Sequence, residues 1–200
     1  MIKRLVIFIA RLVSGSGIRW QGCEPVPRQR VYFANHTSNL DSLVVWAALP
    51  PPLREVTRPV AARDYWKSNG IRRYLACRVF NAVLIERKKP TSCDNPLADM
   101  IEAMGRTHSL IIFPEGGRQP GCELAPFKGG LFHLAKDRPD VELVPVLIEN
   151  LNRILPKGEF LPVPVMGSVT FGTPIRLEAG ETKCTFLERA QAAVKNLSHL

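Results

Sequence analysis

Cysteine is scarce in this chain and poorly placed for a framework. Cys23, Cys77, Cys93, Cys122 and Cys184 are odd in number and contain no Cys-x-x-Cys pair. That spacing argues against a zinc site and against a full disulfide scaffold, and it fits a reducing cytoplasm. A membrane-spanning run is missing from the N-terminal segment, because Arg11 cuts its apolar stretch well short of the ~20 residues a span needs. The same arginine interrupts a signal-peptide core. There is no zinc-finger spacing, no RNA-binding signature and no platform of interleaved aromatic and basic residues, so nucleic acid is not the expected partner. Internal repeats and low-complexity runs are absent too.

What is present suits one domain: 200 residues, 46% of them hydrophobic, are enough to bury a sizeable core. Acidic residues fall short of basic ones, 18 against 27, which leaves a net charge of +9. Such an excess calls for an anionic partner: nucleic acid, an acidic membrane surface, or a phosphorylated substrate with a CoA-like donor. In residues 1–13, Lys3, Arg4 and Arg11 gather on one side of a helical wheel, opposite Ile2, Leu5, Val6, Ile9, Leu12 and Val13. This is the pattern of a helix lying in a membrane interface, so residues 1–13 are expected as an amphipathic surface helix and residues 18–200 as the folded domain.

The chain is organised around Val31 to Asp41. Val31, Tyr32 and Phe33 are strand formers, and Ser38 to Asp41 precede the helical pattern of Leu43 to Ala47. His36 is therefore expected at a strand-to-helix junction, where α/β folds usually present reactive groups. Neutral imidazole is well poised to take a proton near pH 7, and a carboxylate on its second nitrogen fixes the tautomer and stabilises the imidazolium. His36 and Asp41, five residues apart, could form that pair and activate a substrate hydroxyl. Taken alone, Asp41 also fits a plain helix cap.

A second stretch runs from Phe113 to Arg118 after the strand-like Ser109 to Phe113. Adjacent Gly116 and Gly117 let backbone N–H groups approach an anion, and Arg118 adds a planar fork that matches phosphate. Glu115 is costly to bury unless paired, and Arg118 and Lys128 are the candidate partners. The bland alternative is a tight turn with an internal ion pair.

Asn35-His36-x4-Asp41 followed by Phe-Pro-Glu-Gly-x-Arg resembles the glycerolipid acyltransferase family, the 1-acylglycerol-3-phosphate (lysophosphatidate) acyltransferases among them. Val83 to Arg87 lies between those motifs and Leu143 to Val146 after them, in the family's order, and Phe127 to Gly130 resembles the segment after the Glu-Gly-x-Arg turn. The likeness spans roughly residues 18–175, and four ordered motifs are far more specific than any one alone. Gly117 stands where the family usually has Thr and Gln119 where Ser is common, departures that bear on acceptor choice more than on reaction type.

The remaining segments read as alternating strands and helices. Ile18 to Trp20, Glu55 to Ala62, Asn81 to Ile85, Leu143 to Ile148 and Val165 to Phe171 are expected strands. Pro50 to Pro52 should stop the first helix. Asp64 should cap a helix through Leu75 that is aromatic on one face and basic on another, a segment suited to lipid headgroups or to ordinary core packing. Asn95-Pro96 opens a helix whose Met100 and Met104 face the core, and Gly105 closes it. Lys128 to Lys136 is expected as a helix, and Thr185 with Glu188 as a capping box for the last one. The alternation predicts an α/β fold: a single domain with a largely parallel central sheet flanked by helices.

By resemblance, the chain is expected to move a fatty acyl group from acyl-CoA or acyl-carrier protein to the free hydroxyl of a lysophosphatidate-like acceptor in phospholipid biosynthesis. His36 would be the general base and Asp41 its orienting carboxylate. Arg87, Gly116 and Arg118 would hold the acceptor phosphate, Glu115 would order their turn, Gly117 and Lys128 would join them in the substrate-binding set, and Asn35 with Val144 to Val146 would shape the pocket. No metal or cofactor is implied beyond the acyl donor as co-substrate. The resemblance also implies an anionic membrane surface as partner and a peripheral position on a membrane's cytoplasmic face, the inner membrane in a bacterium. A non-catalytic lipid- or nucleic-acid-binding protein, and an acyltransferase with another lysolipid acceptor, are the alternatives. A metal hydrolase built on His36 and Asp41 would need further ligands.

Overall fold

The structure, a computed structural model, describes residues 17–38, 40–67, 70–86, 95–117, 124–150 and 167–198. The helix expected over residues 1–13 lies outside the described residues.

Seven strands form one sheet: β1 (Gly17–Trp20), β2 (Arg30–Ala34), β3 (Thr57–Ala62), β4 (Val83–Ile85), β5 (Ser109–Ile112), β6 (Glu142–Glu149) and β7 (Ser168–Phe171), in the order β1-β7-β6-β2-β5-β3-β4. The block from β6 to β4 is parallel throughout, whereas β7 pairs antiparallel with β6 and carries β1 parallel beside it. Central β2 and β5 are buried at every residue. That explains why they read as continuous apolar runs instead of alternating ones, since helices cover both faces.

One face packs on α1 (Asp41–Ala48), α2 (Pro51–Glu55) and a π-helical turn at Leu75–Val79, through Val44, Trp46, Leu49, Leu53 and Val79 against Tyr32, Ile111, Val144 and Phe171. The other packs on α5 (Pro96–Met104), α6 (Gly130–Asp137) and α7 (Lys183–Lys195), through Met104, Leu131, Leu134, Phe186 and Val194 against Val31, Phe33, Leu110 and Leu143. Two short helices, α3 (Arg63–Lys67) and α4 (Gly70–Tyr74), lead from β3 into the π-helical turn.

Several expected boundaries move, each for a local reason. The proline run does end α1, but Pro51 also starts α2, because a proline in the first helical turn gives up only an N–H that has no intrahelical partner. Glu55 belongs to α2 and the strand starts at Thr57. The helix expected from Asp64 begins at Arg63 and is broken into α3, α4 and the π-helical turn. The cap of α7 is Thr182, whose hydroxyl accepts from Thr185 N–H at 3.3 Å, and Glu188 instead takes the Cys184 thiol. Asn95 caps α5 as expected, accepting from Leu97 and Ala98 N–H.

Arg54, 7% exposed, folds its guanidinium under the end of α1, where it donates to the carbonyls of Trp46, Ala47 and Leu49 and lies over the Trp46 ring. The last carbonyls of a helix have no intrahelical donor and carry partial negative charge, so a buried cation is stabilised there. Nothing in the sequence pattern distinguishes it from a surface arginine.

Candidate active site

The parallel strands β2, β5, β3 and β4 all end on one edge of the sheet, and the chain leaves β2 through Asn35 and His36. Asn35 is 8% exposed, and its amide is committed to β6: Nδ2 donates to Ile148 O and Oδ1 accepts from Ile148 N–H, both at 2.8 Å. The side chain thus continues the β2–β6 ladder past Ala34, replacing backbone with amide. Both polar atoms of the amide are thereby taken up by β6, and the residue fixes the strand end from which His36 follows. Val144 and Val146 likewise are fully buried core residues.

His36 Nδ1 lies 2.8 Å from Asp41 Oδ2. Asp41 is wholly buried, and the same Oδ2 accepts from the N–H groups of Thr37 and Ser38 at 2.7 and 2.8 Å, so three donors fix one oxygen at the start of α1. The helix N-terminus supplies further favourable field for the carboxylate. Asp41 Oδ1 has no hydrogen-bond partner among the described residues. Leu40, not Asp41, is the N-cap residue of α1 and makes no side-chain cap. The aspartate therefore holds the preceding loop and the imidazole instead of capping the helix.

The imidazole stacks on Phe113 with centroids 4.3 Å apart and planes 26° apart, and its side chain is 18% exposed. With Nδ1 given to Asp41, the second nitrogen, Nε2, has no hydrogen bond among the described residues. A carboxylate on Nδ1 keeps the proton there and leaves Nε2 able to accept one. The Phe113 contact was missed in the sequence, where this residue read only as the end of a strand.

Glu115 comes off β5, the neighbour of β2, and is 4% exposed. Its expected ion pair with Lys128 is not formed. Oε1 accepts from His36 N–H at 2.8 Å and Oε2 from Ala125 N–H at 3.2 Å, so among the described residues backbone amides, and no cation, meet the carboxylate. Burial raises the carboxyl above its ordinary value, opposed by those two amides. Gly116 sits at φ +71°, a conformation strained for any residue with a Cβ, and a Cβ there would meet the Lys128 side chain. Lys128 is exposed and runs along that glycine, and its N–H donates to Pro114 O at 2.8 Å. A Cβ on Gly117 would meet nothing within 4 Å, so the turn is open on that side. Arg87 and Arg118 lie outside the described residues. Among the described residues, no three His, Cys, Asp or Glu side chains are grouped to hold a metal ion.

The Acyltransferase family profile matches residues 17–149, which include all four motifs. The chain belongs to the acyltransferase family. It is 28% identical over 183 residues to the 1-acyl-sn-glycerol-3-phosphate acyltransferase of Limnanthes douglasii, covering 89% of this chain and 60% of that protein. To the enzyme of the same name from Escherichia coli (strain K12) it is 28% identical over 137 residues, 62% of this chain and 51% of that one. This family member thus spans between half and two thirds of the length of these two relatives. The crystal structure of the 1-acyl-sn-glycerophosphate acyltransferase from Thermotoga maritima shares the fold, with a TM-score of 0.70 at 21% identity over 99% of this chain and 81% of that one.

Proposed function

We propose that this protein is a 1-acyl-sn-glycerol-3-phosphate O-acyltransferase, transferring a fatty acyl group from the thioester of acyl-CoA or acyl-carrier protein to a lysophosphatidate-like acceptor. The observation that carries the chemistry is the His36–Asp41 pair, with Nδ1 held at 2.8 Å and Nε2 left to accept a proton. Relatives named for that activity support the substrate class.

In this reading the acceptor hydroxyl gives its proton to His36 Nε2 as its oxygen attacks the thioester carbonyl. Asp41, whose ionised form is held by the amides of Thr37 and Ser38, stabilises the imidazolium that forms. Collapse of the tetrahedral adduct breaks the C–S bond, and the imidazolium returns its proton to the leaving thiolate. The products are an ester and a free thiol, with no acyl-enzyme. Ser38 is no nucleophile: it is 3% exposed, and its Oγ accepts from Leu40 N–H.

The turn at Gly116 and Gly117, with Lys128 beside it, is assigned to the acceptor phosphate together with Arg87 and Arg118. The proposed cellular position is peripheral, on the cytoplasmic face of a membrane. Among the described residues no helix is long and apolar enough to cross one.

The test is thiol release from acyl-CoA in the presence of a panel of lysolipids. Turnover that requires lysophosphatidate and disappears in His36→Ala supports the assignment. A chain that binds the lipids but releases no thiol is a binding protein, and the proposal fails.

A further inference from the structure

The segment from Arg63 to Val79 holds four arginines and one lysine against a single aspartate, the densest basic stretch of the described chain. Its last part has two distinct faces. Ala76 and Val79 are buried at 0% and 5% exposure, and Leu75 packs beside Val79 on the core under α1. Arg73, Tyr74, Cys77 and Arg78 all point outward. Their spacing puts them on one stripe, since residues one turn apart stack along a helix.

Two features separate this stripe from an ordinary solvated surface. Tyr74, at 47% exposure, is one of only two exposed large hydrophobic residues among the described ones, the other being Ile18 on the far edge strand. Arg73 and Arg78 have no hydrogen bond or ion pair among the described residues, whereas Arg28, Arg30, Arg138 and Arg189 are all paired with carboxylates. Two unpaired guanidinium groups flanking an exposed phenol match an interface in which anionic headgroups meet the arginines and the ring sits at headgroup depth.

Register places the start of this segment, at Arg63, level with the site, and the chain then runs back along the sheet face toward Asn81, whose carbonyl accepts from Arg58 at the start of β3. Tyr32 pairs with Ile111 and Ile111 with Pro59, so His36 and Arg63, each four residues further along, leave the sheet at the same level. The two strands are separated only by β5, about 10 Å at ordinary strand spacing.

We propose that the outward stripe of Arg73, Tyr74, Cys77 and Arg78 is a docking surface for a bilayer carrying anionic headgroups, which holds the protein at the lipid surface. The need for such contact rests on the lipid-acceptor reading above, but docking is measured without turnover, so either can fail alone. An enzyme whose acceptor lies in the bilayer meets it at high local concentration when it is held at that surface.

The experiment is sedimentation of the full chain with vesicles of phosphatidylglycerol and phosphatidylethanolamine, and with vesicles of phosphatidylcholine alone. Each arginine near an anionic surface contributes about fivefold in affinity, so Arg73→Gln with Arg78→Gln is expected to weaken binding to the anionic vesicles by roughly 25-fold. Weak binding to phosphatidylcholine should be unchanged. Tyr74→Ser should reduce the binding that survives at high salt, where the electrostatic share is screened. Activity on a short-chain, water-soluble acceptor should remain at the parent level in both variants. Vesicle binding equal to the parent's overturns the proposal and moves docking elsewhere, residues 1–13 first. A parallel loss of soluble-acceptor activity overturns it too, because the residues then serve the site or the fold. So does binding to an acidic protein but not to anionic vesicles.

Discussion

The backbone N–H of His36 donates to the carboxylate of Glu115 at 2.8 Å, joining residues 79 positions apart in the chain. The contact is possible because β2 and β5 are neighbours in the sheet and both end at the same edge. It ties the proposed base to the turn that follows β5: the same carboxylate also holds Ala125 N–H, two residues before Phe127.

Removing the base tests the core of this reading. His36→Ala is expected to lower acyl transfer by about 10²–10⁴. Asp41→Asn should lose a comparable amount while the fold survives, since an amide oxygen can still accept from Thr37 and Ser38 but carries no charge to stabilise an imidazolium. Thiol-release kinetics beside circular dichroism decide it; near-parental kcat in either variant rejects the mechanism.

Glu115→Gln keeps the shape but leaves one acceptor where two are used, so one of the amides of His36 and Ala125 loses its partner. A loss of about 1–3 kcal/mol of stability is expected, together with reduced turnover. The pH dependence has a defined sign. Burial raises this carboxyl above its ordinary 4.5, so the folded chain keeps the proton to higher pH than the unfolded one. Its contribution is complete below 4.5 and declines as pH climbs through the raised value. Urea midpoints from pH 4 to 7 should show that decline in the parent and not in the variant.

Asn35→Ala deletes both hydrogen bonds to Ile148 and orphans a buried N–H and C=O. About 2–4 kcal/mol is expected to be lost, with kcat falling more than KM changes, because the residue orients His36 without touching substrate. A variant whose loss lies entirely in KM would instead place Asn35 against the substrate.

Tyr32 is fully buried, and its hydroxyl makes no hydrogen bond among the described residues. Burial pushes it up to about 12 despite the nearby Arg30 guanidinium. The folded chain therefore keeps this proton after the unfolded chain has lost it, and stability falls as pH rises from 10 through about 12. Tyr32→Phe should abolish that alkaline decline and raise stability at pH 7 by about 1–3 kcal/mol, read as an increase in Tm. A lower Tm at neutral pH would show that the hydroxyl has a partner.

The sheet and the His36–Asp41 contact were legible in the sequence because each rests on local signals: buried parallel strands are continuous apolar runs, and a five-residue separation brings a histidine back onto the first turn of the helix that follows it. The partners of Glu115, Asn35 and Arg54 were not legible. All three bond to backbone groups, which every residue carries, so no side-chain pattern records the pairing. The reversed β1–β7 edge was hidden for a similar reason, since parallel and antiparallel strands draw on the same residue types.

The stacking of Phe113 on His36 has a spectroscopic consequence. An aromatic ring lying 4.3 Å over the imidazole shields its carbon-bound protons through the ring current, so the His36 Hε1 and Hδ2 resonances should lie upfield of those of an exposed histidine. Resonance positions then give a site-resolved titration of the proposed base in the intact protein, and any acceptor that shifts the imidazole off Phe113 will announce itself as a downfield movement before a single turnover has occurred.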